Sequence, residues 1–295
     1  MSQYRQSVFA AILPNRLLQP IKQHGVAGAT RKALTSPTAA YRHLSAAGTP
    51  ELLPRHRYES PPSPNELESF VLDLGLDATH RDITDAWLAL AADEQFRAEL
   101  TASFRRTATG PDVFYHNWRD VLSVLVRLTE PEMVVETGVR GGLSAAYLLS
   151  ALDRNARGSL VSIDLGDTSV LPADLDDPEI GWLVPHRLRE HWELRLGDST
   201  TELPSVLDDS TDLFFSDVPN AILRDELAIA ATRMRPGSII VTCCPVGSAA
   251  EATWTEFADA ALTNTSRATR WVSEDGRSDL CAGILGDHGT GGFEA

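Results

Sequence analysis

Lysine is nearly missing from this chain. Of 26 basic side chains only Lys22 and Lys32 are lysines, against 41 acids, giving a formal charge of −15 over 295 residues. An acidic, lysine-poor surface suits a salt-adapted cytoplasm, since crowded carboxylates hold hydration and repel neighbouring molecules. A GC-rich genome that favours arginine codons explains the same bias equally well. Cysteine is scarce too: Cys243, Cys244 and Cys281. Three thiols, two of them adjacent, exclude a disulfide framework and point to a reducing, cytoplasmic compartment. No apolar run approaches the ~20 residues that span a bilayer. The apolar stretch at 7–13 stops at Pro14 with only Arg5 before it, which disfavours a secretory signal. No internal repeat or low-complexity run is present. At 43% hydrophobic and 7% aromatic residues the chain is globular, with length for one α/β domain plus an extension.

The charge is unevenly spread. Residues 1–58 carry eight basic side chains and one acid, Glu51, leaving 18 basic and 40 acidic residues for the remainder. An acidic body repels phosphates, so nucleic acid is excluded as substrate. The basic arm reads as short amphipathic helices broken at Pro14, Pro20, Pro37 and Pro50. Two readings stand: a peripheral membrane contact, with Phe9, Ile12, Leu13, Leu17 and Leu18 inserted beside Arg16 and Lys22, or an extension that packs on the body or a second subunit of a homodimer, or stays mobile.

Prolines near residue 60 mark a hinge, and helical spacing over 65–108 predicts two or three helices (Leu67, Phe70, Val71, Leu74; Ile83, Trp87, Leu88, Leu90; Phe96, Leu100, Phe104). From about 111 the pattern alternates. Helices are expected at 117–128, 143–152, 183–190, 221–234 and 250–263, and strands at 132–136, 159–164, 192–196, 212–216, 238–243, 268–273 and 279–285. The expected domains are therefore a basic arm (1–58), a helical cap (59–110) and an α/β domain (111–295). Repeated β-α units imply a doubly wound, mostly parallel seven-stranded sheet. The last two strands are separated by SEDGRSD, too short for a crossover, so an antiparallel terminal hairpin follows.

The densest signal is VVETGVRGGLSAAYLL at 134–149: a β-branched strand, a glycine turn and an Ala/Leu helix. Side-chain-free positions let backbone approach a ligand, and the helix N-terminus offers free N–H groups. The spacing E-x-G-x-x-x-G-x-S (Glu136, Gly138, Gly142, Ser144) differs from the dinucleotide pattern. Asp164 ends the second strand, where an acid can accept ribose hydroxyls or cap the following loop. Asp198, in LGDST, faces the same choice between ligand and helix cap. Asp217 ends the fourth strand, placed to act as a general base or to help hold a metal.

The glycine motif resembles the first motif of class I S-adenosylmethionine-dependent methyltransferases. With SIDLG, GWLVPHRLREHWELRLGDS and MRPGSIIV in order, residues 117–285 resemble the "methyltransferase domain 24" subgroup. The antiparallel ending fits that type of sheet. The resemblance implies S-adenosylmethionine as cofactor, held by Glu136, Thr137, Gly138, Gly142, Ser144, Asp164 and Asp198. It implies a hydroxyl acceptor, small-molecule or glycan-like, facing Asp217, with His116 at the pocket entrance. Two departures stand out. The turn that usually reads H-D-S-x-H is Ser216–Asn220, keeping only its central Asp217, and Cys243–Cys244 replace a usual pair of acids. No metal-ligand set is picked out: Asp217 with Asn220 is thin for Mg²⁺, and whether a metal takes part stays open. His116, His186 and His191 remain as proton acceptors outside the turn. Rival readings are a catalytically degenerate scaffold protein of the same fold and a nicotinamide-dependent oxidoreductase.

Overall fold

The computed structural model describes residues 64–107, 118–243, 248–262, 268–272 and 279–287. The basic segment 1–58, His116 and Cys244 lie outside the described residues. Three helices come first: α1 (Pro64–Asp73), α2 (His80–Ala91) and α3 (Glu94–Phe104). Thr79 and Asp82 close a reciprocal capping box on α2, and Asp93 caps α3 through the Phe96 amide. The alternating part follows as α4 (Trp118–Thr129), β1 (Met133–Thr137), α5 (Leu143–Asn155), β2 (Ser159–Asp164), β3 (Trp192–Leu196) and α6 (Ser199–Val206). Then come β4 (Leu213–Ser216), α7 (Asn220–Arg233), β5 (Ile239–Cys243), α8 (Ala249–Ala261), β6 (Ala268–Val272) and β7 (Asp279–Ile284).

The strands form one sheet of seven, in the order β3-β2-β1-β4-β5-β7-β6. The first five run parallel, and β7 inserts antiparallel between β5 and β6. The chain moves outward from β1 to β3, then returns to place β4 on the other flank of β1. That reversal opens a crevice beyond the carboxyl ends of β1 and β4.

Side-chain alternation divides the core between the two faces of the sheet. Phe215 and Val241 pack with Leu122, Leu125, Leu148 and Leu152 on one side. Phe214 and Ile240 pack with Leu223, Leu227, Trp254 and Phe257 on the other. Helices α1 to α3 join the first of these clusters through Leu67, Phe70, Leu74, Ile83, Phe96, Leu100 and Phe104. Phe96 meets Tyr147 of α5 edge-on at 5.2 Å, and Arg154 pairs with Asp93 at 2.8 Å.

The chain departs from its sequence pattern twice. Residues 183–190 do not form an α-helix; Pro185 precedes a 3₁₀ segment, His186–His191, too short to propagate. Conversely, α6 carries Pro204 in its interior, which hides an eight-residue helix from a reading by propensity. Among the described residues, no helix is long and apolar enough to cross a membrane.

Candidate functional site

The site follows from strand register. Thr137 lies beside Ile163 and Ser216, and Ser216 lies beside Thr242. One step further along each strand, Asp164, Gly138, Asp217 and Cys243 therefore form a row across the carboxyl edge of β2, β1, β4 and β5. The ladder continues into this row, since the Gly138 amide donates to Ile163 (3.1 Å) and the Asp217 amide to Thr137 (3.0 Å).

The glycine loop is shaped by its own chain. Gly138 (φ 85°), Arg140 (φ 51°) and Gly142 (φ 81°) are left-handed. A Cβ on Gly138 would stand 2.2 Å from the Asp217 carbonyl oxygen, and one on Gly142 2.7 Å from the Gly181 Cα. The segment Gly181–Val184 straps the loop, with Gly181 N–H donating to Arg140 (2.8 Å) and Leu183 N–H to Gly141 (2.9 Å). Close packing of backbone on backbone alone therefore requires glycine at 138 and 142. Beyond the loop, α5 starts on Gly142 with no side-chain cap, so its first-turn amides receive no side-chain acceptor.

Asp164 stands half-buried at the rim. Its two oxygens accept from the Arg140 amide (2.8 Å) and the Gly166 amide (2.9 Å), tying the loops after β1 and β2 together. Beside it Leu165 and Leu196 are 61% and 62% exposed, and Gly166 lies against Leu196. Leu196 pairs with Asp164 across β2 and β3, so both exposed leucines stand at the rim beside this carboxylate. Sequence reasoning stopped at Asp164 and missed both leucines; the signal was the apolar residue that ends each of SIDL and ELRL.

Glu136 lies under the loop rather than in the crevice. It is fully buried, and its oxygens accept from Ser144 Oγ (2.5 Å) and Ser162 Oγ (2.7 Å). Trp192 Nε1 donates in turn to Ser162 Oγ at 2.9 Å. Burial pushes the Glu136 carboxyl up to about 7; the two hydroxyl bonds oppose the rise, while the Asp217 and Asp164 charges add to it. Thr137 points to the other face, where it and Ser216 both donate to Glu226 Oε2 at 2.7 Å. Glu226 is a second buried carboxyl, raised by burial, which the helical spacing alone did not single out. Asp198 caps α6 by accepting from the Thr200 amide (2.9 Å) and hydroxyl (2.6 Å).

Asp217 and Cys243 follow the paired Ser216 and Thr242 at the ends of β4 and β5, and burial followed by the Asp217 charge pushes the Cys243 thiol well above its ordinary range. On the α4 side, Trp118 packs on Phe215 at 5.4 Å and the Arg119 guanidinium lies 4.3 Å over Trp118. Next along α4, burial pushes Asp120 up to about 7 against the Arg119 charge. Asn220 accepts from Thr253 Oγ1 (3.1 Å), so its side-chain oxygen is already engaged. Among the described residues no cluster of three or more His, Cys, Asp or Glu could hold a metal ion. His186 and His191 are exposed on the 3₁₀ segment that leads into the amino end of β3, away from the row. A cavity of about 520 Å³ opens at that opposite end of the sheet, around Pro131, Asp212 and Gly237. Its arginines are paired there, Arg157 with Glu132 and Arg235 with Asp212.

The geometry can be set beside known proteins. The methyltransferase-domain family profile matches residues 135–242. A protein of Mycobacterium sp. strain JLS named as an O-methyltransferase is 32% identical over 169 residues, covering 57% of this chain and 72% of the relative. One from Mycobacteroides abscessus, named likewise, is 30% identical, covering 57% and 74%. Among solved structures, cofactor-bound Rv0187 from MTB superposes with a TM-score of 0.50 at 17% identity, covering 77% of this chain and all of that one.

Proposed function

Since the chain belongs to the class I S-adenosylmethionine-dependent methyltransferases of the methyltransferase-domain family, we propose that the row at the carboxyl edge of its sheet holds that cofactor and presents an acceptor hydroxyl for O-methylation. The observation that carries this reading is the in-register line Asp164–Gly138–Asp217 beside the uncapped start of α5. The residues fit the cofactor's parts. First-turn amides of α5 suit its carboxylate, Asp164 suits the ribose hydroxyls, and Leu165 with Leu196 suits the face of the adenine. When bound, the cofactor supplies a methyl group already activated on a sulfonium. What the chain must add is alignment and a proton acceptor. Asp217, one residue past β4, is the group we assign to take the acceptor hydroxyl's proton. Glu136 and Thr137 support the loop from below through Ser144 and Glu226, and Asp198 fixes the start of α6.

The acceptor we expect is a small molecule or glycan-like hydroxyl compound. The basic segment 1–58 is read as a peripheral contact with an anionic membrane surface, with a homodimer contact as the other reading, in a salt-adapted cytoplasm. The nicotinamide reading is set aside by family membership.

Calorimetric titration of S-adenosylmethionine and S-adenosylhomocysteine, at low and high salt, tests the reading. Wild type should bind in the micromolar range and Asp164→Ala should lose at least tenfold in affinity. Folded wild type that binds neither compound at either salt would refute it. Transfer of labelled methyl to a panel of phenols and methyl glycosides, with Asp217→Asn beside wild type, then tests the assigned base.

A further inference from the structure

We propose that Glu226 is a positioning residue: one oxygen of its carboxyl accepts hydrogen bonds from Thr137 and Ser216 together, clamping α7 to the ends of β1 and β4 and so fixing Asp217 toward the acceptor hydroxyl. The inference rests on the reading of Asp217 as the proton acceptor.

The clamp joins three elements at one atom. Thr137 and Ser216 end β1 and β4 and lie side by side in the ladder. Each hydroxyl donates to Glu226 Oε2 at 2.7 Å. Glu226 comes from the second turn of α7 and is fully buried, as are Thr137 and Ser216. The residues that follow the two strands are Gly138 and Asp217. Their backbones are in close contact: the Asp217 amide donates to Thr137 (3.0 Å), and the Asp217 carbonyl oxygen lies 2.2 Å from where a Cβ on Gly138 would stand. Only Asp217, Val218 and Pro219 link β4 to α7. Glu226 reaches back across that link, so its two ends are held at a fixed separation. Asn220, first in α7, accepts from Thr253 of α8 (3.1 Å), which holds the far end from a second side.

Stability alone does not call for a carboxyl at this position. Leu223, Leu227 and Ala230 lie on the same face of α7 and pack in the second cluster, so an apolar side chain would extend that cluster with no desolvation cost. Burial opposes the charge of Glu226 and raises its pKa. What the carboxyl adds is direction. Apolar contact is non-directional and leaves a helix free to settle on the sheet by a fraction of an ångström. Two hydrogen bonds that meet on one oxygen set distance and angle at once. Methyl transfer depends on such alignment. During transfer the acceptor oxygen forms its bond to the methyl carbon, the sulfonium–carbon bond breaks with its electron pair left on sulfur, and the hydroxyl proton passes to Asp217. Glu226 takes no part in the proton transfer.

Amide hydrogen exchange and methyl transfer, both in the full-length protein, test the clamp. Glu226→Met keeps the volume and removes the acceptor. Exchange at the Asp217 amide should quicken about tenfold or more, while the amides of β5 keep their protection. In the methyl-transfer panel kcat should fall about tenfold, since a misplacement of about 1 Å can cost about a hundredfold. The affinity for S-adenosylmethionine should stay within about threefold. Glu226→Gln, whose side-chain carbonyl can accept from both hydroxyls, should keep wild-type exchange and kcat within about threefold. Ser216→Ala removes one of the two bonds, and serves with the same expected changes at smaller size if methionine unfolds the chain. The sharpest readout is the double variant. Because Glu226 acts through Asp217, adding Glu226→Met to Asp217→Asn should lower kcat by less than about twofold further. An Asp217 amide as protected as in wild type, or a loss of kcat as large in the Asp217→Asn background as in wild type, would overturn the proposal. Full kcat in Asp217→Asn alone would instead overturn the reading beneath it, whatever the exchange shows.

Discussion

Replacing Glu136 by Gln should remove a pH dependence built into the centre of the fold. The carboxyl is fully buried and held by two hydroxyls, and its pKa stands near 7 against an ordinary 4.5. Between those values the folded chain binds more protons than the unfolded one, so stability falls as pH rises. The favourable contribution is complete below about 4.5 and is lost as pH climbs through about 7. A rise of about 2.5 units corresponds to ~3 kcal/mol in all, of which ~2.5 kcal/mol falls between about pH 5 and pH 8. Glutamine is isosteric, and its amide can donate to Ser144 or Ser162, whose hydroxyls rotate to accept. Urea unfolding of both proteins across that range isolates the effect, because Asp120 and Glu226 contribute equally to each and cancel in the difference. The stability of wild type relative to Glu136→Gln should drop by ~2.5 kcal/mol from about pH 5 to pH 8. Parallel curves would show that Glu136 ionises as freely as in the unfolded chain, and the argument from burial would be wrong.

Gly138→Ala forces a Cβ to within 2.2 Å of the Asp217 carbonyl at a φ of 85°. It should cost ~2 kcal/mol or more in thermal unfolding and abolish S-adenosylmethionine binding; an unchanged Tm would refute the packing argument. Leu165→Ser acts on a side chain 61% exposed, so stability should stay within ~0.5 kcal/mol. Its loss of apolar contact should weaken S-adenosylhomocysteine binding about five- to tenfold, and an unchanged Kd would refute the ring-face role of Leu165 and Leu196.

Much of this arrangement was legible in the order of residue types. Val134, Val135, Ile239, Ile240 and Val241 are β-branched runs between turn signals, so β1 and β5 appear where local preference puts them. The short link between the last two strands foretold the hairpin of β6 and β7. Asp164 and Asp217 were recognisable because each ends a strand. Where a residue had two local options, the sequence left the choice open: Asp198 could be a ligand or a cap, and its contacts to Thr200 make it at least the cap of α6.

What the sequence by itself determined is the alternation of elements, the antiparallel ending and the acids at strand ends, because these depend on neighbours within one or two turns of chain. Only the tertiary structure decided what each side chain meets. Gly138 and Gly142 pack against Asp217 and Gly181, 79 and 39 residues further along the chain, which no local pattern showed. Glu136 looked like a cofactor ligand and lies buried between Ser144 and Ser162. Cys243 stood out in the sequence only as a replacement for a usual acid, and it stands beside Asp217 because two parallel strands end in register. Such meetings depend on strand order and register across the whole sheet, which no local stretch of sequence contains.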